Sequence, residues 1–255
     1  MWTELIHPTI GVILLIFILV RLSGYISAHL QGLAYLLTRS QSVAVLFMFL
    51  VLAPGVFIHE LSHWLMARLL GVPTKGFRVW PKRTRSRIIQ MGAVEVRGGG
   101  TISLALIGMA PFLLGTIVLI LLGGWFQGPP HHIADWRTWF SREGWTPVLA
   151  FFHRPDWPWR FYAIWIISTS MMPSAADRAP LRPLGWLLLI GSVGLILAGV
   201  AGTLLQQIQG PLLRLLDLLA AAFWLAVIGN LAVAGGLWLT EFALSTLLGT
   251  RVEYG

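Results

Sequence analysis

The chain has 255 residues, 56% of them hydrophobic and 11% charged, and its mean hydropathy is +0.77. Soluble domains carry about 25% charged residues, so the composition argues against a soluble enzyme and for an all-α polytopic membrane protein. Cysteine is absent, which removes disulfides, thiolate metal sites and cysteine nucleophiles at once.

Residues 9–27 form the first apolar run, interrupted by Arg21, and residues 30–37 either extend it or make a separate interfacial segment. No basic stretch or small-residue cleavage site precedes or follows this run, so an uncleaved span is expected rather than a signal peptide. Residues 43–70 make a second run, long enough for the ~20 residues that a bilayer requires. "KGFRVW" (75–80) and "RIIQMGAVEVR" (87–97) follow, rich in β-branched and aromatic residues around a polar turn. They predict a small β-hairpin or sheet at the membrane surface, closed off by "GGG" (98–100).

Residues 101–122 are the third run. The stretch 124–158 then carries Trp125, Trp136, Trp139, Trp145 and Trp157. Tryptophan favours the head-group layer, so this is expected to be an outer interfacial segment, with Asp135 placed to N-cap a short helix. A short run at 159–172 and longer ones at 184–205 and 212–239 complete about six expected membrane helices. Gly191, Gly194, Gly199 and Gly202 predict close helix packing on the fifth.

Eight of the 18 basic residues fall in 68–97, which marks that loop as cytoplasmic. Alternation from there puts both termini on the cytoplasmic side. The +8 charge therefore reports topology and contact of the 75–97 loop with anionic lipid head groups, with no nucleic-acid partner. One membrane domain is expected over 1–255. It divides into an N-terminal span and interfacial segment (1–42), a core (43–183) and a C-terminal helix pair (184–255).

The core begins with the chemistry-bearing motif. "FIHELSH" (57–63) contains H-E-x-x-H, formed by His59, Glu60 and His63. On a helix, residues four apart share a face, so two imidazoles can hold one ion while Glu60 stands beside them. Zinc suits such a pair, and a glutamate next to a zinc-bound water can take its proton. Ionisable groups at membrane depth are costly and usually functional, and metal coordination explains their presence.

Two histidines leave such an ion one protein ligand short. Asp177, in "STSMMPSAADRAP" (168–180), is the better candidate, since Pro173 breaks the helix there. It could instead cap a helix or pair with Arg178. Glu241 remains open as a ligand, Asp217 has a partner in Arg214 one turn earlier, and His131, His132 and His153 sit on the opposite side. Thr169 and Ser170 can contact a substrate or bond back to their own helix. Asn230 predicts a helix–helix hydrogen bond. Pro54–Gly55 can kink its helix and admit water, or be simply tolerated.

These elements resemble the site-2 protease family of intramembrane zinc metalloproteases. In that family H-E-x-x-H lies on one membrane helix and a β-structured loop and a further helix follow. A later helix supplies an aspartate in a motif like N-x-x-P-x-x-x-x-D-G. The order is similar over residues 43–183, roughly half the chain. The second motif departs from the family pattern. Ser170 replaces the asparagine, the Pro173-to-Asp177 spacing is one residue shorter, and Arg178 replaces the glycine; no PDZ domain is inserted.

The resemblance implies His59, His63 and Asp177 as Zn2+ ligands and Glu60 as general base of an endopeptidase. Its substrate would be a membrane-embedded or membrane-adjacent segment, and the setting a bacterial cytoplasmic membrane. The altered second motif, the Trp-rich segment and the glycine-lined helix also fit a catalytically silent subunit or scaffold of a larger membrane complex.

Overall fold

A computed structural model describes residues 2–80, 82–83, 89–90, 92–123, 134–250 and 252. Helix α1 (Trp2–Thr38) is continuous through the apolar run and 30–37, so that segment extends the first helix. A tight turn at Arg39, whose φ is 54°, leads into α2 (Gln41–Leu69), N-capped by Ser40 through the Val43 N–H. Gly71, at φ 67°, ends α2. The Val72 N–H reaches the Ala67 carbonyl and the Gly71 N–H reaches that of Arg68, a left-handed glycine cap.

Strands β1 (Thr74–Arg78), β2 (Lys82–Arg83), β3 (Ile89–Gln90) and β4 (Ala93–Val96) form the expected hairpin. Phe77 pairs with Val94 and Arg78 with Ala93 in an antiparallel β1–β4 ladder, and β2 pairs with β3 further out. The hairpin lies beside α2 rather than beyond its end. The Phe77 ring meets Phe57 edge-on at 6.0 Å and Trp80 meets Phe49 at 5.1 Å. From Leu69 back to Phe49 is about 30 Å of helix at 1.5 Å per residue, so aromatic pairing carries the strands deep along a membrane-type helix instead of leaving them at its mouth.

Helix α3 (Thr101–Gly123) runs back along α2. A 3₁₀ turn (Trp136–Phe140), capped by Asp135 as expected, leads to α4 (Arg142–Phe152). Trp139 is buried and stacks on Trp224, whose indole donates to the Gly144 carbonyl at 2.9 Å. This part of the Trp-rich segment is thus pinned to the last helix; Trp125 lies outside the described residues. Helices α5 (Trp157–Ser170), α6 (Ala175–Arg178), α7 (Leu181–Leu197) and α8 (Ala201–Leu248) complete the chain.

Among the described residues, five helical stretches are long and apolar enough to cross a membrane: Glu4–Thr38, Gln41–Leu69, Thr101–Gly123, Ala176–Leu197 and Leu205–Leu248. This is the composition of a membrane protein. The short run at 159–172 becomes α5, whose 14 residues span about 21 Å. The boundary between the last two runs also moves. Gly199, at φ 71°, ends α7, while the polar residues 206–210 continue inside α8.

The glycines expected to pack the 184–205 run meet nothing among the described residues: a β-carbon at Gly191, Gly194 or Gly202 would enter open space there. Close packing falls elsewhere. A β-carbon at Gly55 would come within 2.7 Å of Ile166, and one at Gly115 within 2.6 Å of Met171. Between membrane helices, where lipid is as apolar as the side chains, small residues allow the close contact that holds a bundle together. Gly55 and Gly115 thereby clamp α5 between α2 and α3. Helix α2 continues through Pro54, so the Pro54–Gly55 pair serves as a contact surface.

Helices α1 and α8 pack side by side in the same direction. Gln209 bonds Glu4 near their starts, His29 bonds Glu241 further along, and Arg39 bonds Thr250 at their ends. The start of α1 and the end of α8 therefore lie at opposite ends of this pair.

Candidate metal centre

Helical spacing brings the α2 imidazoles together. Nε2 of His59 lies 3.1 Å from Nε2 of His63. Asp177, from the short α6, joins them: Oδ1 is 3.3 Å from His63 Nε2 and Oδ2 is 3.7 Å from His59 Nε2. These three side chains form a group that could hold a metal ion.

The other ring nitrogens decide the protonation pattern. Nδ1 of His59 lies 2.7 Å from the Ser170 carbonyl oxygen, and Nδ1 of His63 lies 2.7 Å from that of Ile107. A carbonyl only accepts, so both Nδ1 atoms carry hydrogen and donate. In the neutral rings, each Nε2 then presents a lone pair. Two lone pairs and a carboxylate facing one another without a hydrogen between them repel, and a cation removes that repulsion. Backbone carbonyls on the far ring nitrogens are also the usual outer support of histidine ligands.

The carbonyls are available for specific reasons. In α3, the N–H that would bond the Ile107 carbonyl belongs to residue 111, which is proline and has none. At the end of α5, the N–H one turn beyond Ser170 belongs to Ser174, and it is taken by Asp177 Oδ2 at 2.8 Å. The Ser174 hydroxyl accepts from the Asp177 N–H in return, closing a capping box. Asp177 is therefore a cap and a member of the donor group together: one oxygen engages Ser174, which frees the carbonyl that orients His59. Pro173 likewise leaves the Thr169 carbonyl without its helical donor, and Ser23 Oγ of α1 supplies one at 2.6 Å.

Glu60 is buried with a relative exposure of 7%, and among the described residues no hydrogen bond holds its carboxylate. It lines a cavity of about 430 Å3 together with His59, His63, Asp177, Ala93 and Val94 of β4, and Ser170. Gly92 covers it from the hairpin. Gly108 lets α3 pass against the backbone of Asp177, where a β-carbon would come within 3.2 Å of the carbonyl carbon.

The structure thus brings His59, Glu60, His63 and Asp177 to one cavity. It does not bring the others. Glu241 is 2.5 Å from His29 Nδ1, and His153 caps the end of α4. Asp217 accepts from the Ala134 N–H at 3.2 Å and makes no ion pair with Arg214 among the described residues, because the 3₁₀ segment docks on that face of α8. His131 and His132 lie outside the described residues. Asn230 makes the interhelical bonds expected of it, donating to Ser168 Oγ at 2.7 Å and accepting from Thr169 Oγ1 at 3.1 Å. Sequence reasoning passed over Ser23, Gly92, Gly108 and Pro111. For Pro111 a signal existed: a proline inside an apolar helix opens the carbonyl four residues earlier.

In comparisons with protein-family models, with curated proteins and with solved structures, nothing matches this chain.

Proposed function

We propose that the protein is a zinc-dependent endopeptidase that hydrolyses a peptide bond of a membrane-embedded or membrane-adjacent segment. The observation that carries this reading is the convergence of two imidazole lone pairs and a carboxylate beside a buried glutamate in one cavity. Zn–N bonds of about 2.0–2.1 Å in a tetrahedral site separate ligand atoms by about 3.3 Å, in keeping with the 3.1, 3.3 and 3.7 Å found among His59, His63 and Asp177. The resemblance to site-2 proteases, carried by the same residues, points to the same chemistry.

His59, His63 and Asp177 would hold the ion, which when bound supplies Lewis-acid polarisation of a carbonyl and of water. Glu60 accepts the proton of the attacking water and returns it to the leaving amine. Its burial beneath Gly92 keeps bulk water from competing for that proton. A peptide bond within an intact helix is shielded, so the substrate must be locally unwound. Among the described residues β4 pairs with β1 alone, and its Ala93, Val94 and Val96 line the cavity. Its second edge suits an extended chain by strand addition.

The test is to purify the protein, measure its zinc content, and assay cleavage of membrane segments by wild type and Glu60→Gln. Stoichiometric zinc with cleavage lost in Glu60→Gln is expected. Absence of zinc from the wild type overturns the reading. A stoichiometric membrane complex whose role survives Glu60→Gln replaces it with a scaffold.

A further inference from the structure

We propose that Pro111 is a positioning residue of the metal centre: by lacking an N–H it keeps the Ile107 carbonyl open for Nδ1 of His63, and so aims Nε2 of that ring at the ion. This rests on the metal-binding reading above.

The geometry is specific. Helix α3 continues on both sides of Pro111, so the missing N–H is an isolated gap in an otherwise regular ladder. The carbonyl it exposes is that of Ile107, and His63 Nδ1 occupies it at 2.7 Å. The proline ring also crowds the carbonyl one turn back and tilts it away from the helix axis. Were residue 111 an ordinary amino acid, its N–H would compete for that oxygen. His63 Nδ1, in a ring only 7% exposed as a residue, would then share its acceptor or turn away from it. Orienting bonds of this kind typically change metal affinity by roughly 10–100-fold. A proline inside a membrane helix normally weakens it, so its replacement should spare the fold while harming the site. A residue important only for packing would do the reverse.

The experiment uses the full chain with three versions of residue 111: proline, Pro111→Ala, and lactic acid introduced by nonsense suppression. Lactic acid gives an alanine side chain on an ester linkage that has no N–H. Zinc affinity is measured by competition with a chelator, the ligand field by the visible d–d spectrum of the Co2+-loaded protein, and the fold by thermal unfolding without metal. Pro111→Ala is expected to keep or raise the metal-free unfolding temperature, weaken zinc at least tenfold and shift the cobalt spectrum. The ester is expected to restore affinity and spectrum to within threefold of wild type.

Unchanged zinc affinity in Pro111→Ala overturns the proposal, as does an ester as weak as the alanine variant, which would make the proline ring the cause. Should Pro111→Ala fail to fold, the ester decides alone: wild-type affinity supports the proposal and loss of affinity overturns it. Wild-type protein that takes up no zinc overturns the metal-binding reading and this proposal together. Normal wild-type uptake with no effect at residue 111 overturns only this one.

Discussion

Gly92 rests against the side chain of Glu60: a β-carbon on that glycine would come within 2.6 Å of Glu60 Cδ and Cγ. The hairpin and the proposed general base are therefore fitted to each other, with no room for a methyl group between them. Gly92→Val should push the carboxylate or the strand aside while leaving His59, His63 and Asp177 in place. The expected result is normal zinc stoichiometry with kcat/KM lowered on the order of 10²-fold, the scale of a 1 Å misplacement. Metal analysis and a cleavage assay on the same preparation check it, and undiminished cleavage would detach Gly92 from the site.

Asp177 serves two roles that substitution can separate. In Asp177→Asn the amide oxygen can still accept from the Ser174 N–H, so the cap survives while the charge is lost. Asp177→Ala removes both. Each variant should lose zinc affinity by more than the roughly 10–100-fold typical of an outer-shell partner. Only the alanine variant should also lose about 1 kcal/mol of metal-free stability, the usual worth of a cap. Chelator competition and unfolding of the metal-free protein read the two effects independently.

Much of this site was legible because helical periodicity is local. H-E-x-x-H fixes the relation of His59, Glu60 and His63 within little more than one turn, and Pro173 marks the break that presents Asp177. What could not be read is how distant backbone meets it. The Ile107 and Ser170 carbonyls support the histidines through tertiary contact, and no pattern in the chain states which helices touch. The hairpin shows the same limit. Its strands were evident from Phe77, Trp80 and the β-branched run, yet their depth depends on Phe57 and Phe49 of α2, and hydropathy carries no record of that pairing. The glycines of the 184–205 run misled for a related reason: small residues permit close approach, but among the described residues it is Gly55, Gly108, Gly115 and Gly229 that have a helix opposite them.

Asn230 ties the end of α5 to α8. It is fully buried at 1% exposure, and its amide joins Ser168 and Thr169, immediately before Ser170, whose carbonyl holds His59. Interhelical hydrogen bonds in membranes average about 0.6 kcal/mol, so losing both in Asn230→Ala should cost about 1–2 kcal/mol. Because the loosened segment carries the His59 support, zinc affinity should fall several-fold as well. Detergent unfolding and chelator competition check the pair. A stability loss with unaltered affinity would confine Asn230 to packing.

Glu241 provides a control from the opposite direction. Its carboxylate is engaged with His29 at 2.5 Å across the α1–α8 contact, with the Tyr25 ring tilted against the imidazole, centroids 3.8 Å apart. A side chain committed to that pair is not a ligand of the centre on α2, although sequence alone left it open as one. Glu241→Gln keeps an oxygen that can accept from His29 and should leave zinc stoichiometry at the wild-type level. Glu241→Leu removes this acceptor and should destabilise the fold by about 1.5–3 kcal/mol, the worth of a hydrogen bond to a charged group, again with zinc retained. Metal analysis of folded Glu241→Gln is the decisive measurement. Zinc missing from that variant would make Glu241 part of the metal centre and overturn the assignment of Asp177 as the third ligand.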